Sequence, residues 1–522
     1  MYGCPGCGSF MTYDIQSGKL KCGRCDRTEE IETADRREAR TAGNKFSVDL
    51  LTCPTCGAGI QAVNTASAAF CSYCGASVML ERRDADMTAP DTVAPFRVTR
   101  EECFAKFREM TSKSLCADHR LKKDVTPESF RGIYVPFYEY AGSVQGSAEL
   151  EGTHSHGNVT DYFKTTVALN HRFSHILHDA SKEMPDAMSE KISKVPQDAF
   201  RPFTPAYLSG FYADMPDAEQ EAYLPYAKAE TVRNGLNDVI ADLKDGCTYS
   251  TSQAEKKLVP LAEAHCTGQT LIPVWFMSIR SKGRILYAVQ NGVTGEMVAD
   301  MPMDIPRFGL ITLIAAIPIF FLLNLFLTLR PEMVMAAAMA LAVAAQAIIN
   351  LRQSNLKDQK NAELAAEGQD DFSRRLKQRR KAERSAKTAA AAGSVIGPLS
   401  GLSFAAVAAA VLYFMSRQDD VSIFKLAALA LTAVMAVLLL IGSKGGGRVI
   451  PGSAAALLAM IAGTAVLILD PFHSADMPVY LISFLILATV IWECVDLLKV
   501  HNKACSNPLP QFTTHQGGED HA

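Results

Sequence analysis

The pattern of hydrophobic and polar residues changes near residue 306. Before this point, short apolar stretches alternate with polar ones, as in a water-soluble protein. After it, six apolar stretches approach the roughly 17–25 residues that cross a bilayer core as a helix, so we predict an all-α transmembrane bundle of about six helices. The second stretch is alanine-rich and contains Gln346, and a buried or interfacial helix is the alternative there. The predicted spans are Phe308–Leu329, Met333–Ile349, Val395–Met415, Leu426–Gly442, Ile450–Leu469 and Val479–Leu497.

Lysines and arginines set the predicted orientation of this bundle, because positively charged loops stay in the cytoplasm. A basic connector at 352–388 holds eleven of them, whereas the loop between the fifth and sixth spans (DPFHSADM) holds none. An even number of spans then places both termini in the cytoplasm and the protein in the inner membrane. In this organisation 306–351 is a transmembrane hairpin, 389–498 forms four transmembrane helices and 499–522 is a cytoplasmic tail.

Residues 96–305 are predicted to form a cytoplasmic α+β domain. Thr99, followed by two glutamates, is an N-cap signature for a helix. Gly132–Val144 is rich in aromatic and β-branched residues, which favours a strand. Pro205–Ala241 is predicted to be mostly helical, and Leu271–Val298 to be a meander of three strands. The similarity of YVPFYEY to LIPVWFMS suggests an internal duplication.

Eight cysteines form two sets of paired CxxC motifs with the same internal spacing. Zn²⁺ takes four such ligands in a tetrahedron, and a β-hairpin brings the two CxxC turns of one set together. We predict small β zinc ribbons at 1–26 and 51–80, a charged, partly helical connector at 27–50 and a linker at 81–95. The expected cofactor is zinc, as two ions. The predicted metal ligands are Cys4, Cys7, Cys22, Cys25, Cys53, Cys56, Cys71 and Cys74.

Disulfides, redox CxxC pairs and cross-braced metal sites are the alternatives. A secreted disulfide framework is disfavoured, because the first CxxC begins at Cys4 and leaves no room for a signal peptide. The repetition of the four-cysteine pattern favours metal over redox chemistry. Each set is a self-contained hairpin, which favours two sequential sites over cross-bracing.

The charge pattern argues for protein rather than nucleic acid as the partner of the ribbons. The net charge is −3, and the second ribbon has no lysine or arginine between its first and last cysteines. Only the first ribbon carries a basic cluster, which consists of Lys19, Lys21, Arg24 and Arg27. The chain also lacks GxxxxGK[ST], HExxH and GxSxG motifs, and we predict no catalytic residues.

Further candidates lie in the membrane half and in the α+β domain. A basic run in the connector is predicted to bind anionic lipid headgroups, with a role in topology alone as the alternative. Glycines at a spacing of four let helices pack closely, within one protomer or in a homo-oligomer. Glu493 is an ionisable residue in an apolar span and hence a functional candidate, whereas five histidines between 154 and 178 are assigned to ordinary surface or core positions. The basic run comprises Arg374, Arg375, Lys377, Arg379, Arg380 and Lys381, and the glycines are Gly393, Gly397 and Gly401.

The N-terminal half resembles bacterial membrane proteins that carry transcription-factor-IIB-type zinc ribbons. The shared features are the CPxCG and CxxCG knuckles, YVPFYEY, PAYLSGFYAD and the LIPVWFMS meander. Members are often labelled primosomal or helicase-like, but this chain lacks a nucleotide-binding loop. The resemblance implies an association with PspA-like coat proteins and SPFH/band-7 scaffold proteins in membrane-stress systems.

Together these observations predict a multidomain membrane adaptor and not an enzyme. The ribbons and the α+β domain would recruit a soluble scaffold or coat protein, and the helices would hold it at the lipid bilayer. A transporter or channel regulated by the soluble half is one alternative. A membrane-tethered nucleic-acid-binding regulator is the other.

Overall fold

The chain folds into two compact units in a computed structural model. One unit comprises Met1–Met301 with Ser506–Ala522, and the other comprises Pro302–Cys505. The first is rich in β-strands and the second is helical, so the boundary lies close to the predicted change of pattern. The structure describes residues 2–38, 41–42, 45–56, 59–62, 71, 74, 81–156, 159–180, 192–214, 216, 220–243, 247–281, 284–314, 331–367, 421–444, 451–469 and 476–506.

The first unit begins with a small antiparallel sheet. Its strands are β1 (Met11–Asp14), β2 (Lys19–Cys22) and β3 (Thr28–Glu29), and helix α1 (Ile31–Glu38) follows. The turn between β1 and β2 closes because Gly18 adopts a positive φ of 67°. Asp14 Oδ2 also accepts a hydrogen bond of 3.0 Å from the backbone N–H of Ser17. This hairpin carries the first four cysteines.

The other strands that the structure describes in the first unit form one 13-stranded sheet. Its central path runs β11–β8–β14–β9–β12–β6–β5–β4, while β10 and β13 pair with β9, β7 with β5, β15 with β14, and β16 with β15. The predicted strand at 132–144 and meander at 271–298 are confirmed. The strands are β4 (Thr41–Ala42), β5 (Lys45–Thr52), β6 (Gly59–Ala62), β7 (Glu81–Thr88), β8 (Thr92–Val93), β9 (Arg131–His156), β10 (Val159–Asp179), β11 (Arg201–Pro202), β12 (Tyr212–Asp214), β13 (Thr248–Ser250), β14 (Glu263–Ser281), β15 (Arg284–Asn291) and β16 (Met297–Ala299).

Among the described residues, four α-helices accompany this sheet: α2 (Arg100–Lys113), α3 (His119–Lys123), α4 (Leu224–Leu243) and α5 (Ser252–Leu258). Helix α2 begins at the predicted cap, where the Thr99 side chain accepts from Glu102 N and the Glu102 side chain accepts from Thr99 N. Helices α4 and α5 cover one face of the β9–β10 hairpin and bury its alternate apolar side chains.

The two similar segments of the sequence pair with each other at the centre of the sheet. Strands β9 and β14 are antiparallel, and Val135 lies opposite Ile272. Each of these residues precedes a proline, Pro136 in one strand and Pro273 in the other. The register therefore places equivalent positions face to face, as a local twofold relation between duplicated strands would. The duplication itself stays a prediction.

Two local predictions differ from the structure. The polar segment 81–95, expected to be a linker, contains β7, which pairs with β5 from Lys45↔Thr88 to Thr52↔Glu81. Its charged residues suit a strand that pairs on only one edge in the described structure. The segment 205–241, expected to be mostly helical, contains β12 before α4, because Gly210 turns the chain at a φ of 91° into pairing with β6 and β9.

An aromatic cluster joins the first ribbon to the large sheet. The ring centroid of Phe96 lies 4.5 Å from that of Phe211, 5.0 Å from Trp275 and 5.2 Å from Tyr134. Tyr13 of β1 lies 6.4 Å from Phe211, and its backbone N–H donates to the Ser209 carbonyl at 2.9 Å. One hydrophobic core thus includes both the ribbon and the sheet.

The second unit contains helices α6 (Ile305–Ile314), α7 (Pro331–Glu367), α8 (Val421–Lys444), α9 (Pro451–Leu469) and α10 (Asp476–Ala504). Helix α7 packs against α8 and α10. Helix α9 also packs against α8 and α10. Small and flexible apolar side chains form the shared core, as expected for helices that approach closely.

Three described helices are long and apolar enough to cross a membrane. They are Pro331–Asn350, Gly452–Leu469 and Asp476–Lys503, which match the second, fifth and sixth predicted spans. The fourth corresponds to a shorter apolar helix, Phe424–Leu440, and the first is described only as far as Ile314. The third lies outside the described residues, so the six-helix bundle stays a prediction.

Replacing Phe96 with alanine is expected to destabilise the first unit by about 3–5 kcal/mol, because a large aromatic side chain is removed from a closed core. The measurement is thermal unfolding of the full-length protein in detergent, followed by near-ultraviolet circular dichroism. Tyr162→Ala is the control, since this side chain is 81% exposed and its loss should cost less than about 0.5 kcal/mol. Equal effects of the two substitutions would contradict the aromatic junction.

Candidate metal centres

The first four cysteines converge at one end of the small sheet. Cys4 and Cys7 lie in the turn before β1, Cys22 ends β2 and Cys25 lies in the turn before β3. Their sulfur atoms lie within 4.8 Å of one another, with Cys4 and Cys25 at 3.5 Å and Cys7 and Cys22 at 3.5 Å. A tetrahedron with Zn–S bonds of about 2.3 Å has edges of about 3.8 Å. The arrangement therefore fits one zinc ion.

The two turns of this first site have the same backbone design. The N–H of Gly8 donates to the Cys4 carbonyl at 2.9 Å, and the N–H of Asp26 donates to the Cys22 carbonyl at 3.0 Å. Gly8 and Asp26 both have positive φ, 70° and 55°. Backbone N–H groups of Arg24 and Cys25 also donate to Cys22 and lower its pKa to about 6. The backbone of this turn thus favours the thiolate form of Cys22, which is the form that binds metal.

The second four cysteines form a closed cluster. The sulfur atoms of Cys53 and Cys74 lie 3.8 Å apart, as do those of Cys56 and Cys71, which equals the tetrahedral edge of about 3.8 Å for zinc. Both sites are sequential, so cross-bracing is excluded for the described sulfur atoms. All eight cysteines are free of disulfides.

The two sites differ in their exposure to solvent. Cys25 of the first site is exposed, and so are Pro5, Gly6 and Arg24 around it. In the second site all four cysteines are at most 1% exposed, and they share an apolar core with Ile133, Val135 and Phe137 of β9 and with Tyr287 of β15. Four thiolates in such surroundings need a cation. The second site therefore has the character of a structural metal site.

This integration into the domain was not expected from the sequence. A zinc ribbon of this size has almost no core of its own, and in this structure both hairpins share a core with the large sheet. The Arg280 guanidinium of β14 also donates to the Cys74 carbonyl. No local signal indicates these contacts, because they join positions about 200 residues apart in the chain.

The basic cluster of the first ribbon is partly neutralised. Lys19 lies 2.5 Å from Glu30, and Lys21 lies 3.4 Å from Asp26. Paired lysines release fewer counterions from a phosphate backbone than free ones. This pairing weakens the case for nucleic acid.

Other predicted residues lie elsewhere. Arg374, Arg375, Lys377, Arg379, Arg380 and Lys381, together with Gly393, Gly397 and Gly401, lie outside the described residues. Among the described residues, the groups that could hold a metal contain cysteines and no histidine. His171, His175 and His178 lie along β10.

Comparisons with known proteins give a distant relative. No protein-family model matches the chain, and no solved structure matches it. The chain is similar to the uncharacterized protein YdjG of Bacillus subtilis (strain 168), with 26% identity over 312 residues. The match covers 58% of this chain and 90% of the relative. The similarity therefore concerns nearly the whole relative and little more than half of this chain.

We expect two zinc ions per full-length chain, measured by elemental mass spectrometry after purification without chelators. Cys25→Ser should remove one ion with a small loss of thermal stability, because the first site lies at the surface. Cys71→Ser should remove one ion and destabilise the unit by several kcal/mol, since it leaves buried thiolates without their cation. Cys116→Ser, outside both clusters, is the control. A Cys71→Ser protein that keeps two ions would refute the second site.

Proposed function

We propose that the protein is a membrane-anchored adaptor that recruits a soluble partner. The observation that carries this proposal is a β unit with two four-cysteine clusters that could each hold a metal ion, on the same chain as apolar helices long enough to span a bilayer. Metal ions supply rigidity to the β unit, and a rigid surface loses little conformational entropy when a partner binds. The localisation that follows is the inner membrane, with the β unit and both termini in the cytoplasm.

The first ribbon is the better docking surface of the two. Its second CxxC turn is exposed, and Phe10 at the base of the hairpin is 53% exposed. Aromatic side chains that are exposed in the free protein are frequent anchors of protein interfaces. The cysteines of the second ribbon are buried within the unit and offer no comparable surface.

The resemblance described above points to the class of partner, a PspA-like coat protein or an SPFH/band-7 scaffold protein. Such proteins assemble at the membrane, which suits an adaptor held in the bilayer. In this proposal the basic run at 374–381 adds contacts with anionic headgroups, and the glycines at 393–401 pack helices within the protomer or in a homo-oligomer.

Phe10→Glu is expected to reduce the captured coat or scaffold protein about tenfold or more, as for the loss of an interface anchor. The measurement is affinity capture of the tagged full-length protein from detergent-solubilised membranes, with quantitative mass spectrometry of what is captured. Leu115→Glu is the matched control, because Leu115 is also apolar and is 66% exposed. Equal capture by both variants would remove the first ribbon from the interface.

A second candidate function, transport, is favoured by one residue. Glu493 of α10 is 0% exposed, and neither of its carboxylate oxygens has a hydrogen-bond partner among the described residues. Helices α9 and α10 approach closely here, at Gly452. If Gly452 carried a Cβ atom, that atom would lie only 3.3 Å from Glu493 Cγ. Buried ionisable groups in membrane helices often mark ion or proton pathways.

The transport candidate predicts proton flux in proteoliposomes that Glu493→Gln abolishes. Asp496→Asn is the control, since Asp496 lies 2.9 Å from Lys499 near the end of the same helix and should leave the flux unchanged. If the unmodified protein shows no proton flux but still captures a partner, the transport candidate is rejected and the adaptor proposal stands.

A further inference from the structure

A β-bulge in β10 holds His175 in an unusual backbone conformation. The register with β9 shifts between Phe173 and Ile176, so Ser174 and His175 together occupy the space of one partner residue. His175 has a φ of 67°, in the left-handed region that glycine prefers. This conformation costs a residue of this type about 1–2 kcal/mol, and it persists only where the surrounding contacts impose it. The bulge therefore fixes the direction of the imidazole.

The imidazole of His175 has one satisfied nitrogen and one unsatisfied nitrogen. Nδ1 lies 3.1 Å from Glu139 Oε1, and the side chain is 13% exposed. The ring of Phe200 packs edge-on against it, with centroids 4.5 Å apart. Nε2 is buried and has no hydrogen-bond partner in the described part of the chain. Because Nδ1–H faces a carboxylate, the neutral ring carries its lone pair on Nε2, which then accepts hydrogen bonds.

His175 lines a cleft of about 420 Å³ at the edge of the sheet. Small-molecule sites usually have volumes of about 300–1,000 Å³. One wall is the segment 193–196, and the other is α4, which contributes Glu230 and Asn234. The segment is held in place because Asn291, which is fully buried, donates to the Ile192 carbonyl at 2.6 Å. The cleft is thus a preformed space with polar groups on both sides.

The inner groups of this cleft are acceptors. Glu230 presents a carboxylate to the cleft, and 43% of its side chain is exposed to solvent. Partial burial raises the pKa of this carboxyl group, while the charge of Arg233 opposes this change. His178 Nε2 lies 3.8 Å from Glu230 Oε2. The cation that lines the cleft, Lys194, is exposed.

We propose that this cleft binds a small molecule through a primary ammonium group, with His175 Nε2 and the Glu230 carboxylate as its acceptors. The apolar part of the ligand would lie against Phe173 and Val195, which also line the cleft. This site is separate from both metal centres and does not depend on the adaptor proposal. It gives the β unit a way to bind a soluble amine.

The test is saturation-transfer difference NMR on the full-length protein in lipid nanodiscs, with n-propylamine and propionate as probes. The unmodified protein should give a signal for propylamine and a much weaker one for propionate. His175→Gly should reduce the propylamine signal about fivefold or more, the effect of losing one hydrogen bond. Glycine adopts the φ of this position without strain, which offsets part of the stability lost with the Glu139 and Phe200 contacts, and thermal unfolding checks that the variant is folded.

Glu230→Gln gives a second variant on a different element, with the same expected loss of the propylamine signal. His119→Ala and Glu101→Gln are matched controls at exposed positions on α3 and α2, and they should keep the signal. A stronger signal for propionate would overturn the proposal. Equal propylamine signals from the unmodified protein, His175→Gly and Glu230→Gln would also overturn it, because the amine would then bind elsewhere.

Discussion

Four thiolates within an apolar core are stable only around a cation, and the first unit is built on this constraint. The second cysteine cluster is enclosed by side chains from β9, β14 and β15 of the large sheet. Strands β5 and β6 flank two of its cysteines and also belong to that sheet. A metal ion bound here would fix the position of the ribbon and of the sheet edge together, and folding and metal binding would then be parts of one equilibrium.

The features best predicted from the sequence are those that depend on residues close together in the chain. The two cysteine sets follow from spacing, because a CxxC turn and a hairpin are local structures. The cap at Thr99 depends on a residue three positions later, and the strands of the meander on their own alternation. Apolar length alone located the three long helices.

Features that depend on distant parts of the chain could not be predicted. Strand β7 is polar and resembles a linker, and only its pairing with β5 makes it a strand. Strand β12 interrupts a helical pattern because its backbone pairs with β6 on one edge and with β9 on the other. The cleft at His175 depends on Glu139 and on α4, and nothing in the local sequence HRFSHILHD indicates the bulge that directs the ring.

The pairing of β8 with β14 has a consequence for the order of events during synthesis. Thr92 and Thr270, which form a hydrogen bond between these strands, are separated by 178 positions. At a translation rate of about 5–20 residues per second, the N-terminal region waits roughly 10–35 s for this partner. Trp275, which completes the aromatic cluster, also arrives late. The apolar helices then follow directly, so the ribosome delivers the last strands of the sheet and the first membrane-length segments almost together.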